Sequence, residues 1–293
     1  MSQPGARVTW PGAVGRAVAG TCVMAVALGI AGAVGQAVRG GTAPSYLPRA
    51  LTAVLCFALA VSLILWLRLR VDRLPLSGLG LARGVTALRT FTLGVVITGG
   101  SAAAVLGACT WAGWLTWGQL DLPRLLEFLV VNALIAVTLE AFPEELVFRG
   151  YVYDALSRGC RRWVAVVVTV LLFTFAGAGS SVVHWGVGTL LGEAVPLPGF
   201  APAGEDPVAY AILYPIFGVA LLAARITTGS LWTSVGLHLT YLTVVRATID
   251  GASRNAGWSA TPVVPEALLL VPSFLVLATA VFALISRLRG RRT

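Results

Sequence analysis

Residues 125–150 read LLEFLVVNALIAVTLEAFPEELVFRG. The stretch begins as an apolar run and ends on three carboxylates, Glu140, Glu144 and Glu145, and one guanidinium, Arg149. Ionised side chains inside a membrane helix cost roughly 2.5–3.5 kcal/mol each on insertion scales, so a cluster at the end of such a run marks chemistry. On a helix Glu140 and Glu144 share a face at i, i+4, and so do Glu145 and Arg149. Arg149 can thus hold Glu145 ionised while Glu144 faces a cavity. Two carboxylates that meet in low dielectric repel, so Glu140 or Glu144 is expected to hold a proton near neutrality and to serve as a general base for water. Pro143 has no N–H to give the Leu139 carbonyl of a regular helix, which predicts a kink just before the acidic pair. A structural reading competes with this one: Glu145 and Arg149 as an ion pair at the membrane edge, with the other acids solvated.

The rest of the chain shares the character of the run. Of its 293 residues 57% are hydrophobic and 11% charged, with a mean hydropathy of +0.87. Soluble domains carry about 25% charged residues, so there is too little charge here to cover a water-facing surface, and a soluble enzyme is excluded. All 21 cationic residues are arginine and the net charge is +9. In a soluble protein that balance would suggest nucleic acid, but here its placement speaks for membrane topology and for no nucleic-acid partner.

Runs long enough to cross about 30 Å of hydrocarbon fall at 17–38, 50–67, 91–113, 125–148, 162–179, 208–224, 230–248 and 264–286. The first is too long for a signal-peptide core and is read as a membrane helix. With eight spans, fifteen arginines lie on one side: Arg7, Arg16, Arg68, Arg70, Arg73, Arg83, Arg89, Arg158, Arg161, Arg162, Arg225, Arg287, Arg289, Arg291 and Arg292. Five lie opposite, Arg39, Arg49, Arg124, Arg246 and Arg254, and Arg149 stands apart. The positive-inside rule then puts both termini in the cytoplasm. The stretch Arg68 to Arg89 is expected along the membrane surface, and the longest outer connection at Ser180 to Pro207. Cys22, Cys56, Cys109 and Cys160 show no CxxC spacing and read as reduced. The expected architecture is all-α, a polytopic transmembrane bundle of about eight helices. It forms a single integral membrane domain, residues 1–293, with a core at 125–245, in the cell (cytoplasmic) membrane.

Both histidines, His184 and His238, follow in later apolar segments. Together with Glu144-Glu145-Leu-Val-Phe-Arg149-Gly150 they give the chain a resemblance to the CPBP family, the CAAX protease and bacteriocin-processing intramembrane proteases. The acidic segment resembles that family's EExxxR motif, and Gly229-Ser-Leu-Trp-Thr-Ser-Val-Gly-Leu-His238 resembles the approach to its HxxxN motif. The resemblance implies that Glu144 activates a water, that Glu145 and Arg149 shape the site and that His238 stabilises the oxyanion. Two positions depart from the pattern. The asparagine of HxxxN is Leu242, with Tyr241 nearby as a replacement donor. The FxxxH motif falls on Phe173-Thr-Phe-Ala-Gly177, where glycine stands for histidine. His184 comes seven residues later and roughly 12 Å too high at 1.5 Å per residue, so it reaches Glu144 only if the chain breaks at Ala176-Gly-Ala-Gly179 and folds back.

The sequence thus leads to an intramembrane endopeptidase, a peptide hydrolase that cleaves membrane-associated peptide or protein substrates with a glutamate-activated water. The alternative is an inactive scaffold or bacteriocin-immunity protein. A transporter lacks the expected repeated halves. The cofactor is left open: Glu144 and His238 give two zinc ligands, and His184 a third if it folds back. The lysine-free composition suggests a bacterial source. Partners are the lipid bilayer and the substrate, and the oligomeric state is open.

Overall fold

The computed structural model describes residues 9–39, 46–202 and 204–290, so the expectations for Arg7, Arg291 and Arg292 lie outside the described residues. Eight long helices occur among them. They are α1 (Trp10–Val38), α2 (Tyr46–Trp66), α3 (Gly84–Trp111), α4 (Leu122–Gly159), α5 (Arg162–Leu190), α6 (Pro207–Thr228), α7 (Leu231–Ala247) and α8 (Leu270–Gly290). Seven are long and apolar enough to cross a membrane; α7, with 17 residues, is the short one. Leu134 and Val96 are 65% and 62% exposed in mid-helix, as lipid-facing side chains are. The chain is a multi-pass membrane protein in contact with the bilayer.

The end of the fifth helix and the start of the third differ from the sequence expectation. The fifth helix does not end near Gly179 but continues to Leu190, so the connection expected from Ser180 begins after it. A helix in hydrocarbon must satisfy its own backbone, and small residues there pack rather than break it: a Cβ on Gly179 would stand 3.1 Å from Ala25. The third helix starts at Gly84, so the surface stretch expected from Arg68 to Arg89 is helical over its last residues. Its first part is a wide turn at Leu67–Val71 and a short 3-10 helix at Leu76–Leu79.

The described residues divide into two compact units, with boundaries after Gly80, within α4 at Phe142 and Pro143, and within α6 at Gly218 and Val219. In the unit holding α1, α2, α5, the second part of α4 and the first part of α6, helix α1 packs on α5 and α2. Its buried face is a row of small residues, Ala13, Ala17, Gly20, Ala27, Ala31 and Gly35, that lets backbones approach. Four ionic side chains, with Tyr151, hold the second part of α4 in this unit. Arg68 is buried and meets Asp154 at 2.6 Å; Arg16 meets Asp72 at 2.6 Å, and the Tyr151 hydroxyl donates to Asp72 at 2.8 Å.

In the other unit α3 crosses α7 at two glycines. A Cβ on Gly94 would collide with the Thr233 carbonyl, and one on Gly236 with the Phe91 carbonyl. Neither helix can carry a side chain at the crossing, and this fixes the height of His238, two residues after Gly236. Gly229 takes φ +70° to end α6, and the Ser230 hydroxyl caps α7 by accepting from the Trp232 N–H at 3.3 Å. Two short strands, β1 (Leu115–Trp117) and β2 (Ala260–Pro262), pair antiparallel with Thr116 opposite Thr261.

Candidate active site

Helix α4 carries the acidic cluster through two widened turns. Residues Val137–Ala141 and Leu146–Val152 are π-helical, and between them Phe142–Glu145 form a single α turn. Proline explains the first: Pro143 has no N–H to donate and its ring presses on the preceding turn, and an i→i+5 pattern makes room for both. The Phe142 N–H accordingly reaches back to the Val137 carbonyl. The kink expected at Pro143 is thus resolved as a wide turn within a continuous helix.

Arg149 and Glu145 are both fully buried and joined at 3.2 Å, as their i, i+4 spacing predicts. The guanidinium also lies 4.1 Å from the centre of the Phe173 ring on α5, which offers its negative face to the cation. Phe148 meets the same ring edge-on at 5.2 Å. An ion pair taken wholly out of water is stable only where close geometry and further contacts offset its desolvation, and removal of one partner strands a buried charge. Glu144, one residue before Glu145, is half-buried.

Glu140 is engaged in an ion pair between two helices. Both of its oxygens lie 2.7 Å from Nη2 of Arg246 on α7, and Arg246 also reaches Asn132 at 3.5 Å. Arg246 is therefore not a loop arginine but a residue of the last turn of α7. Nothing in the local sequence of α4 announces this partner, which comes from 106 positions away.

His184 stays on an unbroken α5 and contacts Gln36 of α1 at 3.1 Å through Nε2. The chain break that would return it towards Glu144 is absent, because α5 is helical through Ala176–Gly179. Seven residues beyond Gly177, His184 lies about 10 Å further along the helix axis. It lines a cavity of about 370 Å³ with Gln36, Ser181 and Glu205. His238 is buried on α7, with Leu242 one turn on and also buried, and Tyr241 packs against Phe274 at 6.3 Å. Among the described residues no three His, Cys, Asp or Glu side chains gather in a metal-binding arrangement.

Sequence reading passed over Tyr210. It is 3% exposed, stacks on Tyr214 at 3.8 Å and donates its hydroxyl to the Thr174 carbonyl at 3.2 Å. A Cβ on Gly177 would collide with that hydroxyl. The available signal was the glycine itself: a missing side chain at a position facing the site leaves room that another residue must fill.

Residues 126–244 match the family model described as type II CAAX prenyl endopeptidase Rce1-like. This segment, about two fifths of the chain, thus resembles an Rce1-like domain. It contains Glu144, Glu145, Arg149, Gly177, Tyr210 and His238 and ends before Arg246. The matched family is described by its name as one of CAAX prenyl endopeptidases. No curated protein and no solved structure matches the chain.

Proposed function

We propose that the chain is an intramembrane endopeptidase in which Glu144 activates water. The observation that carries the reading is the fully buried Glu145–Arg149 pair next to a half-buried Glu144, on a helix widened on both sides of that residue. A buried pair held by Phe173 fixes the backbone at Glu145 and so fixes where Glu144 can point. Glu144 takes one proton from a water, the hydroxide adds to the scissile carbonyl carbon, and the C–N bond then breaks as the proton passes to the leaving nitrogen. His238, a buried histidine at the third-motif position, donates to the oxyanion as it forms.

The substrate is a peptide or protein segment at the membrane, and the chain is placed in the cytoplasmic membrane with both termini in the cytoplasm. The printed family name, CAAX prenyl endopeptidase, makes a prenylated C-terminal peptide one member of the test panel; an unprenylated single-span polypeptide is the other. The experiment is cleavage of both quenched fluorescent reporters in phosphatidylcholine–phosphatidylglycerol vesicles by the wild-type chain and by Glu144→Gln. Cleavage that vanishes in the variant supports the proposal.

One observation favours a second reading. Leu242, buried where the third motif carries asparagine, cannot donate a hydrogen bond, and loss of one oxyanion donor costs roughly 10²–10³ in turnover. A chain that cleaves neither reporter but binds one of them equally well with Glu144 or Gln at position 144 would be a scaffold.

A further inference from the structure

We propose that the groove at the arginine-rich end of α3, α6 and α8 binds an anionic phospholipid, with its phosphate held by Arg89 and Arg289 and an acyl chain laid along α3. The groove has a volume of about 640 Å³ and lies within one of the two compact units. It contains no residue of the acidic segment of α4.

Charge selects the headgroup. The segments that meet at this end, residues 81–93, 222–234 and 283–290, hold Arg83, Arg89, Arg225, Arg287 and Arg289 and no aspartate or glutamate. Two of these arginines, Arg89 and Arg289, line the groove. Arg89 is exposed near the start of α3 and has no ion-pair partner among the described residues. Arg289, in the last turn of α8, donates from Nη1 to the Thr227 carbonyl at 3.1 Å, which leaves its other N–H groups for a ligand. Two guanidinium forks with no carboxylate between them suit a phosphate both by charge and by bidentate geometry. The walls at this level are tied to their neighbours. The hydroxyls of Thr90 and Ser230 meet at 2.9 Å and those of Thr228 and Thr233 at 2.7 Å, joining α3 and the end of α6 to the start of α7.

Hydrocarbon selects a lipid over a free anion. From Arg89 to Val96 the groove runs seven residues, about 10 Å, along the α3 axis. Over that distance its lining changes from arginine and threonine to Leu93 and Val96. Val96 is 62% exposed in mid-helix, at a depth where acyl chains surround the protein. A free phosphate would fill only the charged end and leave the apolar wall bare. A phospholipid carries its negative phosphodiester a short, fixed distance from hydrocarbon, and basic pockets between membrane helices take such headgroups. With the termini oriented as proposed above, this end faces the cytoplasmic leaflet.

The test is native mass spectrometry of the full chain in detergent, titrated with palmitoyl-oleoyl phosphatidylglycerol or with the matching phosphatidylcholine. One phosphatidylglycerol is expected to bind roughly tenfold or more tightly than phosphatidylcholine. Arg89→Gln and Arg289→Gln are each expected to weaken phosphatidylglycerol by roughly tenfold or more, since each removes a charge-assisted contact, and to leave phosphatidylcholine unchanged. Arg287→Gln removes the same charge two residues from Arg289 but outside the groove lining, and is expected to stay within about twofold of wild type at physiological ionic strength. Equal losses in Arg287→Gln and Arg289→Gln would mean a diffuse surface field and overturn the site, as would equal affinity for the two lipids. Inorganic phosphate in large excess is expected to leave the lipid bound; displacement would assign the groove to a free anion and overturn the lipid. Should Arg289→Gln not fold, Arg89→Gln decides alone, because Arg89 holds no ion pair that the fold would lose.

Discussion

The Arg149 guanidinium lies 4.1 Å from the centre of the Phe173 ring while its Nη1 meets Glu145 Oε1 at 3.2 Å. Helix α4 is thereby tied to α5 by a cation that is wholly buried, and Glu144 is carried next to the tie. Arg149→Ala leaves Glu145 buried without that partner and is expected to destabilise the protein by about 3–5 kcal/mol. Arg149→Lys keeps the charge but not the flat face on Phe173, and is expected to cost less. Thermal unfolding in detergent followed by circular dichroism checks the order; equal stability of Arg149→Ala and wild type would remove the pair from the account.

The Glu140–Arg246 contact joins two helices distant in sequence. Glu140→Gln and Arg246→Gln are each expected to destabilise, and the double variant by less than their sum, with a coupling of about 1–3 kcal/mol. Additive losses in the double-mutant cycle would mean that the two side chains do not interact in solution.

How much of this was legible beforehand depended on whether the determining partner was local. The eight apolar runs appear as eight helices because hydrocarbon leaves a spanning backbone no alternative to the helix. The Glu145–Arg149 pair was legible because both partners lie on one turn of one segment. Arg246 was read only as one of the arginines on the outer side because its partner lies 106 positions away, and no periodicity joins them. The length of α5 was misjudged for a related reason: Gly177 and Gly179 weaken a helix in water, whereas here they face Tyr210 and Ala25 across tight contacts that a larger side chain would prevent. The wide turns around Pro143 could be foreseen as a disturbance but not as a π pattern, since proline also permits a simple kink.

The two glycines at the α3–α7 crossing predict a mutational effect with no charged group involved. Gly94→Ala places a methyl against the Thr233 carbonyl and is expected to destabilise by about 1–3 kcal/mol, with a larger loss for Gly94→Val. Gly99→Ala on the same helix has only ordinary contact with Thr240, at 3.7 Å, and is expected to be tolerated. Urea titration in mixed micelles distinguishes them, and matching midpoints for Gly94→Ala and Gly99→Ala would contradict the close crossing.

His184 serves as an internal control. Its ring contacts Gln36 on an uninterrupted α5, so His184→Ala is expected to leave reporter cleavage within about twofold of wild type. A loss of a hundredfold or more would bring His184 back as a participant.

Glu144 carries the central claim, and cleavage of the two membrane reporters by wild type, Glu144→Gln and Glu144→Asp measures it most directly. The account predicts cleavage by wild type, a loss of at least about 10²–10⁴-fold in Glu144→Gln with the melting temperature kept, and partial activity in Glu144→Asp, whose shorter carboxylate still accepts a proton. Equal cleavage by wild type and Glu144→Gln would contradict it.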